Sequence, residues 1–297
     1  MSASQTFSAE ALGALARIDV ARALQEDVGG ADLTAGLVDP TLRATAHIVA
    51  REDAVICGAP WVQETFLSLD PDAQLTWHVA EGQRCQAGQR VLEVQGLARS
   101  LLTAERTALN FLQLLSAVAS KTQVYVQAVA EVPGAQARIV DTRKTLPGLR
   151  LAQKYAVLMG GGVNHRLGLY DAVLIKENHI AAAGGVEPVL RRAAVVAPSA
   201  QFVEIEVETL EQLDEAVAAG ATMVLLDNMG LAQLEEAVRR NAGRAILEVS
   251  GGVNLSTVRA IAATGVDRIS IGALTKDVKA IDFSMRFVEE PVKPRAN

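Results

Sequence analysis

Apolar positions follow mixed periods over the first hundred residues and settle into one repeating beat after Pro133. Over 8–27, Leu12, Leu15, Ile18, Ala23 and Leu24 recur at helical spacing behind Ser8, a residue suited to cap a helix. Gly29 and Gly30 end that helix. Segments 43–57, 74–79 and 89–94 read as strands, 61–69 as a short helix, and EGQRCQAGQ as a turn. A long helix is predicted from Thr103, taken as its cap, to about Ala130. Leu109, Leu112, Leu115, Ala119 and Val126 give it an apolar stripe, and Pro133 with Gly134 stops it.

From there strand-like runs alternate with amphipathic helices. The strands are ARIVD (137–141), DAVLIK (171–176), FVEIEVE (202–208), TMVLLD (222–227), AILEVS (245–250) and DRISIG (267–272). The helices between the later strands place Leu210, Leu213 and Val217, then Leu231, Leu234 and Val238, then Leu255, Val258 and Ile261 on one face, and Thr209 with Gln212 forms a capping-box pattern. Strands with so little polar alternation are expected to be parallel and covered on both faces. The final stretch VKAIDFSMRFVEE alternates and reads as a strand that could return to the N-terminal sheet. The expected organisation is a small sheet with few helices ending near Ser100, to which that last strand could return, followed by a parallel sheet, closed or open, of regular βα units.

Composition narrows the use of this scaffold. The 297 residues are 50% hydrophobic, enough for a large core. Net charge is −6, which argues against general nucleic-acid binding. Cys57 and Cys85 lack metal-like or CxxC spacing and read as reduced thiols of a cytoplasmic protein. The first 20 residues lack a basic start followed by an apolar run, so no signal peptide is expected. No apolar run nears the roughly 20 residues that span a bilayer.

Against that acidic background, cations gather in DTRKTLPGLRLAQKYAVLMGGGVNHRLGLYDAVLIK. A parallel barrel collects functional groups at the C-terminal ends of its strands. The expected strands end at Asp141 followed by Arg143 and Lys144; at Lys176; at Glu206; at Asp227; at Ser250, Gly251 and Gly252; and at Gly272 and Ala273. Every strand thus delivers a charged or phosphate-compatible group to one rim. The glycine loops could offer backbone N–H groups to a phosphate or be tight turns. Lys176 could be a snorkelling strand-end lysine, an anion-binding lysine or a Schiff-base nucleophile. Glu206 and Asp227 could hold Mg2+, bind ribose hydroxyls, stabilise a developing cation, or pair with nearby Lys and Arg. His165 and Arg166 follow GGGVN as a loop pair. His47, His78 and His179 have no metal-like spacing.

Taken in order, QEDVGGADLT, ERTALNFLQ, DTRKT, LPGLR with QKYAV, GGGVNHR, LIKENHI, EIEVE, LLDN, VSGG and ISIGALT resemble quinolinate phosphoribosyltransferases over about residues 15–289. The resemblance implies an α/β fold: an N-terminal α/β sandwich over 1–118, completed by 277–297, and an incomplete, seven-stranded parallel α/β barrel over 119–276. It implies transfer of phosphoribose from phosphoribosyl pyrophosphate to quinolinate, with pyrophosphate and CO2 released, nicotinate mononucleotide formed and Mg2+ required. It implies a homodimer or multiple of dimers, with Arg106 supplied by the partner subunit. By matching motifs, Arg143, His165, Arg166 and Lys176 would bind the quinolinate carboxylates and nearby phosphate. Lys144 would approach phosphoribosyl pyrophosphate, and Glu206 and Asp227 would face ribose and Mg2+. Ser250, Gly251, Gly252, Gly272 and Ala273 would hold the 5′-phosphate. The chain departs from the family at Lys276, where a histidine is common, and at SAVAS (116–120). Arg150 and Lys154 receive no role, and at least one is expected to be structural. Nicotinate phosphoribosyltransferase, a Schiff-base barrel lyase using Lys176, and a non-catalytic sensor of phosphorylated metabolites are the alternatives.

Overall fold

In the computed structural model, residues 6–196 and 198–288 are described. The chain divides into two compact units, 1–120 with 278–297, and 121–277. Positions 289–297, assigned from sequence to the first unit, lie outside the described residues, as do 1–5.

The first unit opens with α1 (Ala9–Asp27), whose first turn is capped by the Ser8 hydroxyl accepting the Ala11 N–H. Strands β1 (Arg43–Ala50) and β2 (Ala54–Val55) precede α2 (Ala59–Leu69). Then come β3 (Gln74–Trp77), β4 (Arg84–Cys85) and β5 (Arg90–Leu97). The turn expected around Arg84 contains β4, which pairs antiparallel with β2. The larger sheet runs β12-β1-β5-β3, all antiparallel, and β12 (Phe283–Phe287) comes from the far end of the chain.

One face of β1 buries Ala46, Ile48 and Ala50 while Thr45, His47 and Val49 face the other way, as a period of two requires. Helix α3 (Ala98–Ala130) lays Leu101, Ala104, Ala108, Leu109 and Leu112 into that core. It starts one turn before the expected cap. Thr103 is therefore internal, its hydroxyl directed at Asp32 Oδ2 (2.8 Å) and the Arg99 carbonyl (3.0 Å). The run ARSLL contains good helix formers and no breaker, so nothing delays helix initiation.

The second unit holds β6 (Arg138–Val140), α4 (Arg150–Met159), β7 (Val173–Ile175), α5 (Glu177–Ala183) and α6 (Val186–Val196). It continues with β8 (Val203–Val207), α7 (Leu210–Ala218), β9 (Met223–Asp227), α8 (Leu231–Asn241) and β10 (Ile246–Ser250). It closes with α9 (Val258–Ala263), β11 (Arg268–Ser270) and α10 (Ala273–Lys276). The six strands pair in parallel in the order β6-β11-β10-β9-β8-β7. The expected seventh strand is reduced to a single parallel bridge, Val163 to Val140, on the free side of β6. The barrel is thus incomplete. Of the positions their spacing marks, Leu213 and Val217 of α7, Leu234 of α8 and Val258 and Ile261 of α9 are buried. Leu210 and Val238 are only partly buried, and Leu231 and Leu255, at or just before the helix starts, are exposed. Thr209 Oγ1 accepts the Gln212 N–H, but the Gln212 side chain reaches back to the Glu208 N–H instead of Thr209.

Candidate active site

Sheet order sets the order of groups around the rim. From one edge to the other come Arg143 and Lys144 after β6, Gly272 and Ala273 after β11, and the 250–252 loop after β10. Asp227 on β9, Glu206 on β8 and Lys176 after β7 complete the series. Two adjoining cavities open on this rim. One, of about 330 Å³, is walled by Arg143, His165, Arg166, Leu174 and Leu225; the other, of about 470 Å³, by Asp227, Gly251, Gly252, Gly272, Ala273 and Lys276. Thr142, Lys144, Lys176, Glu206, Ser250 and Ser270 line both.

The glycines of the larger lobe are required by its shape. Gly251 has φ +99°, and a Cβ there would meet the Asn228 side chain and stand 3.1 Å from the Asn228 backbone nitrogen. Asn228 itself is held in a left-handed conformation and donates its N–H to the Ser250 carbonyl (3.0 Å). The Cβ position of Gly272 stands 3.1 Å from Lys144 Cδ, so a larger residue there would press on that lysine. Asp227 accepts the Asn228 amide (2.7 Å) and makes no ion pair among the described residues. Burial raises its pKa, while Lys176 and Lys144 oppose the shift.

Lys176 pairs with Glu206 at 2.9 Å, and its backbone N–H donates to His179 Nδ1 (3.0 Å). This polar, half-exposed setting differs from the apolar pocket that activates a Schiff-base lysine. In the smaller lobe, Arg143 is partly buried and its Nε has no hydrogen-bond partner among the described residues. Burial lowers the pKa of Arg166, with Arg143 adding to the effect.

Beneath this lobe lies a cluster that sequence reasoning did not assemble. His165 Nδ1 accepts the Arg166 N–H (2.8 Å), so a neutral ring carries its proton on Nε2, 2.7 Å from Glu204 Oε2. Glu248 Oε1 is 3.6 Å from the same nitrogen; Glu248 also pairs with Arg268 (2.7 Å) and accepts the Ser270 hydroxyl. Both glutamates are fully buried. Burial lowers the pKa of His165 and raises those of Glu248 and Glu204, the last to about 8. The available signal was a carboxylate within each apolar run, EIEVE and AILEVS.

Of the thirteen residues singled out from sequence, twelve line these two lobes. Arg106 does not: it is an exposed residue of the first unit, in a groove with Asp32, Leu33 and Thr103. Lys154 is buried against Asp141, and Arg150 bonds Thr145 Oγ1 (3.1 Å) and the Arg143 carbonyl (3.3 Å). The two cysteines are buried and free. Among the described residues no helix is long and apolar enough to cross a membrane.

A parallel barrel whose rim carries a cation-walled cavity next to a glycine-lined one has the form of an α/β-barrel enzyme site. Two family patterns match the chain: quinolinate phosphoribosyl transferase, N-terminal domain, over residues 32–116, and its C-terminal domain over 118–286. The chain belongs to the quinolinate phosphoribosyltransferase family. It is 45% identical to a nicotinate-nucleotide pyrophosphorylase (carboxylating) of Mycobacterium leprae, over 91% of this chain and 96% of that protein. It is 39% identical to a quinolinate phosphoribosyltransferase (decarboxylating) of Nicotiana tabacum, over 90% and 81%. A solved nicotinate-nucleotide pyrophosphorylase from Francisella tularensis superimposes with TM-score 0.89 at 43% identity, covering 93% of this chain and 97% of that one.

Proposed function

We propose that this chain transfers phosphoribose from phosphoribosyl pyrophosphate to quinolinate with decarboxylation, yielding nicotinate mononucleotide, pyrophosphate and CO2 for NAD biosynthesis. The observation that carries this reading is the shared Lys176–Glu206 wall between a lobe of cations and a lobe of glycine loops. A planar dicarboxylate suits the first lobe, where Arg143, Arg166 and Lys176 supply the charge and His165 a ring edge. A phosphorylated sugar suits the second, where the 250–252 loop with Gly272 and Ala273 receives the 5′-phosphate and Lys144 meets the diphosphate.

As the C1′–oxygen bond to pyrophosphate breaks, positive charge grows on the ribose, and the pyridine nitrogen forms the new bond to C1′. In this reading Glu206 and Asp227, on adjacent strands, stabilise that charge. The 2-carboxylate then leaves as CO2. Its electron pair stays at ring C2 beside the quaternised nitrogen, and C2 takes up a proton. The ring is its own electron sink, so Lys176 need not form a Schiff base. Asp227, with no cation partner among the described residues and the Asn228 amide beside it, offers hard oxygen donors that fit Mg2+. Asp227 and Glu206 would hold it, directly or through water, and when bound it would neutralise the pyrophosphate leaving group. The assembly in this reading is a homodimer or multiple of dimers in which the partner subunit's Arg106 completes the smaller lobe, and the compartment is the cytoplasm.

The deciding experiment is incubation with quinolinate, phosphoribosyl pyrophosphate and Mg2+, followed by chromatography for nicotinate mononucleotide. Formation of the product from nicotinate but not quinolinate would move the assignment to nicotinate phosphoribosyltransferase. Borohydride trapping of substrate on Lys176 would indicate a lyase. Binding without turnover would indicate a sensor.

A further inference from the structure

Helix α4 presents Arg150, Gln153 and Lys154 at i, i+3 and i+4, and so on one face. A helix packed on a barrel is expected to turn an apolar stripe inward. Beside the buried Ala152, Ala156 and Val157, this helix also buries Gln153 and Lys154 completely. Such groups are kept in a core only when they are bonded, and these two are bonded to different lobes of the site.

Lys154 Nζ pairs with Asp141 and donates to the His165 carbonyl (3.2 Å). Asp141 Oδ1 accepts the His165 N–H (2.9 Å), and Oδ2 accepts the Asn164 amide (2.6 Å). One buried ion pair therefore grips His165 at both its N–H and its carbonyl, and the Arg166 N–H in turn fixes the ring. Gln153 works on the other side. Its Oε1 accepts the Leu146 N–H (2.8 Å), and its Nε2 donates to the Thr275 carbonyl (2.8 Å). The Thr275 hydroxyl donates to the Lys144 carbonyl (2.7 Å). Gln153 thus ties the loop bearing Lys144 to the turn bearing Gly272 and Ala273.

We infer that α4 is a positioning helix that sets the two lobes separately. Lys154 with Asp141 holds His165 and Arg166 for the pyridine dicarboxylate, and Gln153 holds Lys144 and the 272–276 turn for the phosphoribosyl donor. The inference rests on the activity proposed above. Its physical basis is that a buried ion pair is poor value for stability alone, since apolar residues of similar volume do as well or better. Orientation of a substrate-binding group, in contrast, needs fixed bonds, because misplacement by about 1 Å can cost roughly 100-fold.

The test is steady-state kinetics and equilibrium dialysis of each substrate alone, on Lys154→Met and Gln153→Met, which keep volume and remove the bonds. Lys154→Met should raise the quinolinate KM roughly 10-fold or more while the phosphoribosyl pyrophosphate KM stays within about 3-fold. Gln153→Met should do the reverse. Lys154→Arg, which keeps the charge, should recover part of the quinolinate affinity. Where a Met variant does not fold, Asn164→Ala, which removes a bond orienting the Asp141 carboxylate, and Thr275→Val, which cuts the bond to the Lys144 carbonyl, should show the same split at smaller size. Equal changes in both KM values, or a lowered Tm with neither KM changed, overturns the inference. Wild-type turnover, measured first, tests the activity itself; its absence would sink that reading, while dialysis would still report the split in binding.

Discussion

Replacing Glu204 by Gln should make the protein gain stability relative to its parent as pH rises. Glu204 sits fully buried on β8. Burial raises its carboxyl from 4.5 to about 8, with Arg268 opposing and Glu206 reinforcing the shift. The folded chain therefore keeps a proton that the unfolded chain releases. Stability linked to this group is fully present below the unfolded value and is lost as pH climbs through the folded one. A window from about pH 6.5 to about pH 9 spans the folded value of Glu204, and comparing variant with parent removes the titrations the two proteins share. Over that window the folded carboxyl titrates near 8, and at about 1.4 kcal/mol per pH unit the parent should lose roughly 2 kcal/mol that the variant keeps. Glu248, itself pushed up partly by Glu204, changes in the same direction. The Gln amide would face the position where Glu204 Oε1 has no partner. That costs about 1–3 kcal/mol at every pH, so it shifts the whole curve without changing its slope. At roughly 2–3 °C per kcal/mol for a chain of this size, the Tm of the variant minus that of the parent should rise by about 5 °C across the window. Calorimetry at both ends reads it directly. A gap that does not change with pH would refute the claim that Glu204 holds a proton in the folded state.

Three further outcomes follow from the site. Arg143→Ala and Lys176→Ala should each reduce kcat/KM by roughly 100-fold or more, since a lost charge-assisted bond of about 3 kcal/mol leaves a substrate anion unpaired in a confined site; near-normal rates in both would count against the assigned roles. Mixing Arg106→Ala with Lys176→Ala protein should restore part of the activity lost in each, because one site in a hybrid dimer regains both residues; no recovery after proven subunit exchange would exclude a shared site. Gly251→Ala should weaken phosphoribosyl pyrophosphate binding by about 10-fold or more, because its positive φ and the Asn228 contact leave no room for a methyl group; unchanged affinity in dialysis would show that the loop does not carry the phosphate.

By itself the sequence determined the alternation of strands and helices after Pro133 and which residues stand at the strand ends, though it read the short β4 as a turn. Both follow from local periodicity: an apolar run with polar punctuation ends where Lys176, Asp227 or Ser250 begins the loop. The matched motifs added the family and the companions of each residue only as a resemblance. Tertiary structure alone decided that β6 lies at the far edge from β7, with β11 and β10 between β6 and the carboxylate strands. It also decided that the expected seventh strand shrinks to the bridge at Val163. No local pattern specifies which distant segments pair, because pairing is set by how whole faces pack. The same holds for the buried polar groups. Glu204, Glu248 and His165 lie far apart in sequence and meet only when the barrel forms. Lys154, left without a role by its local context, acquires one because the fold brings Asp141 and the His165 peptide to its ammonium group, where an unpaired charge could not be buried.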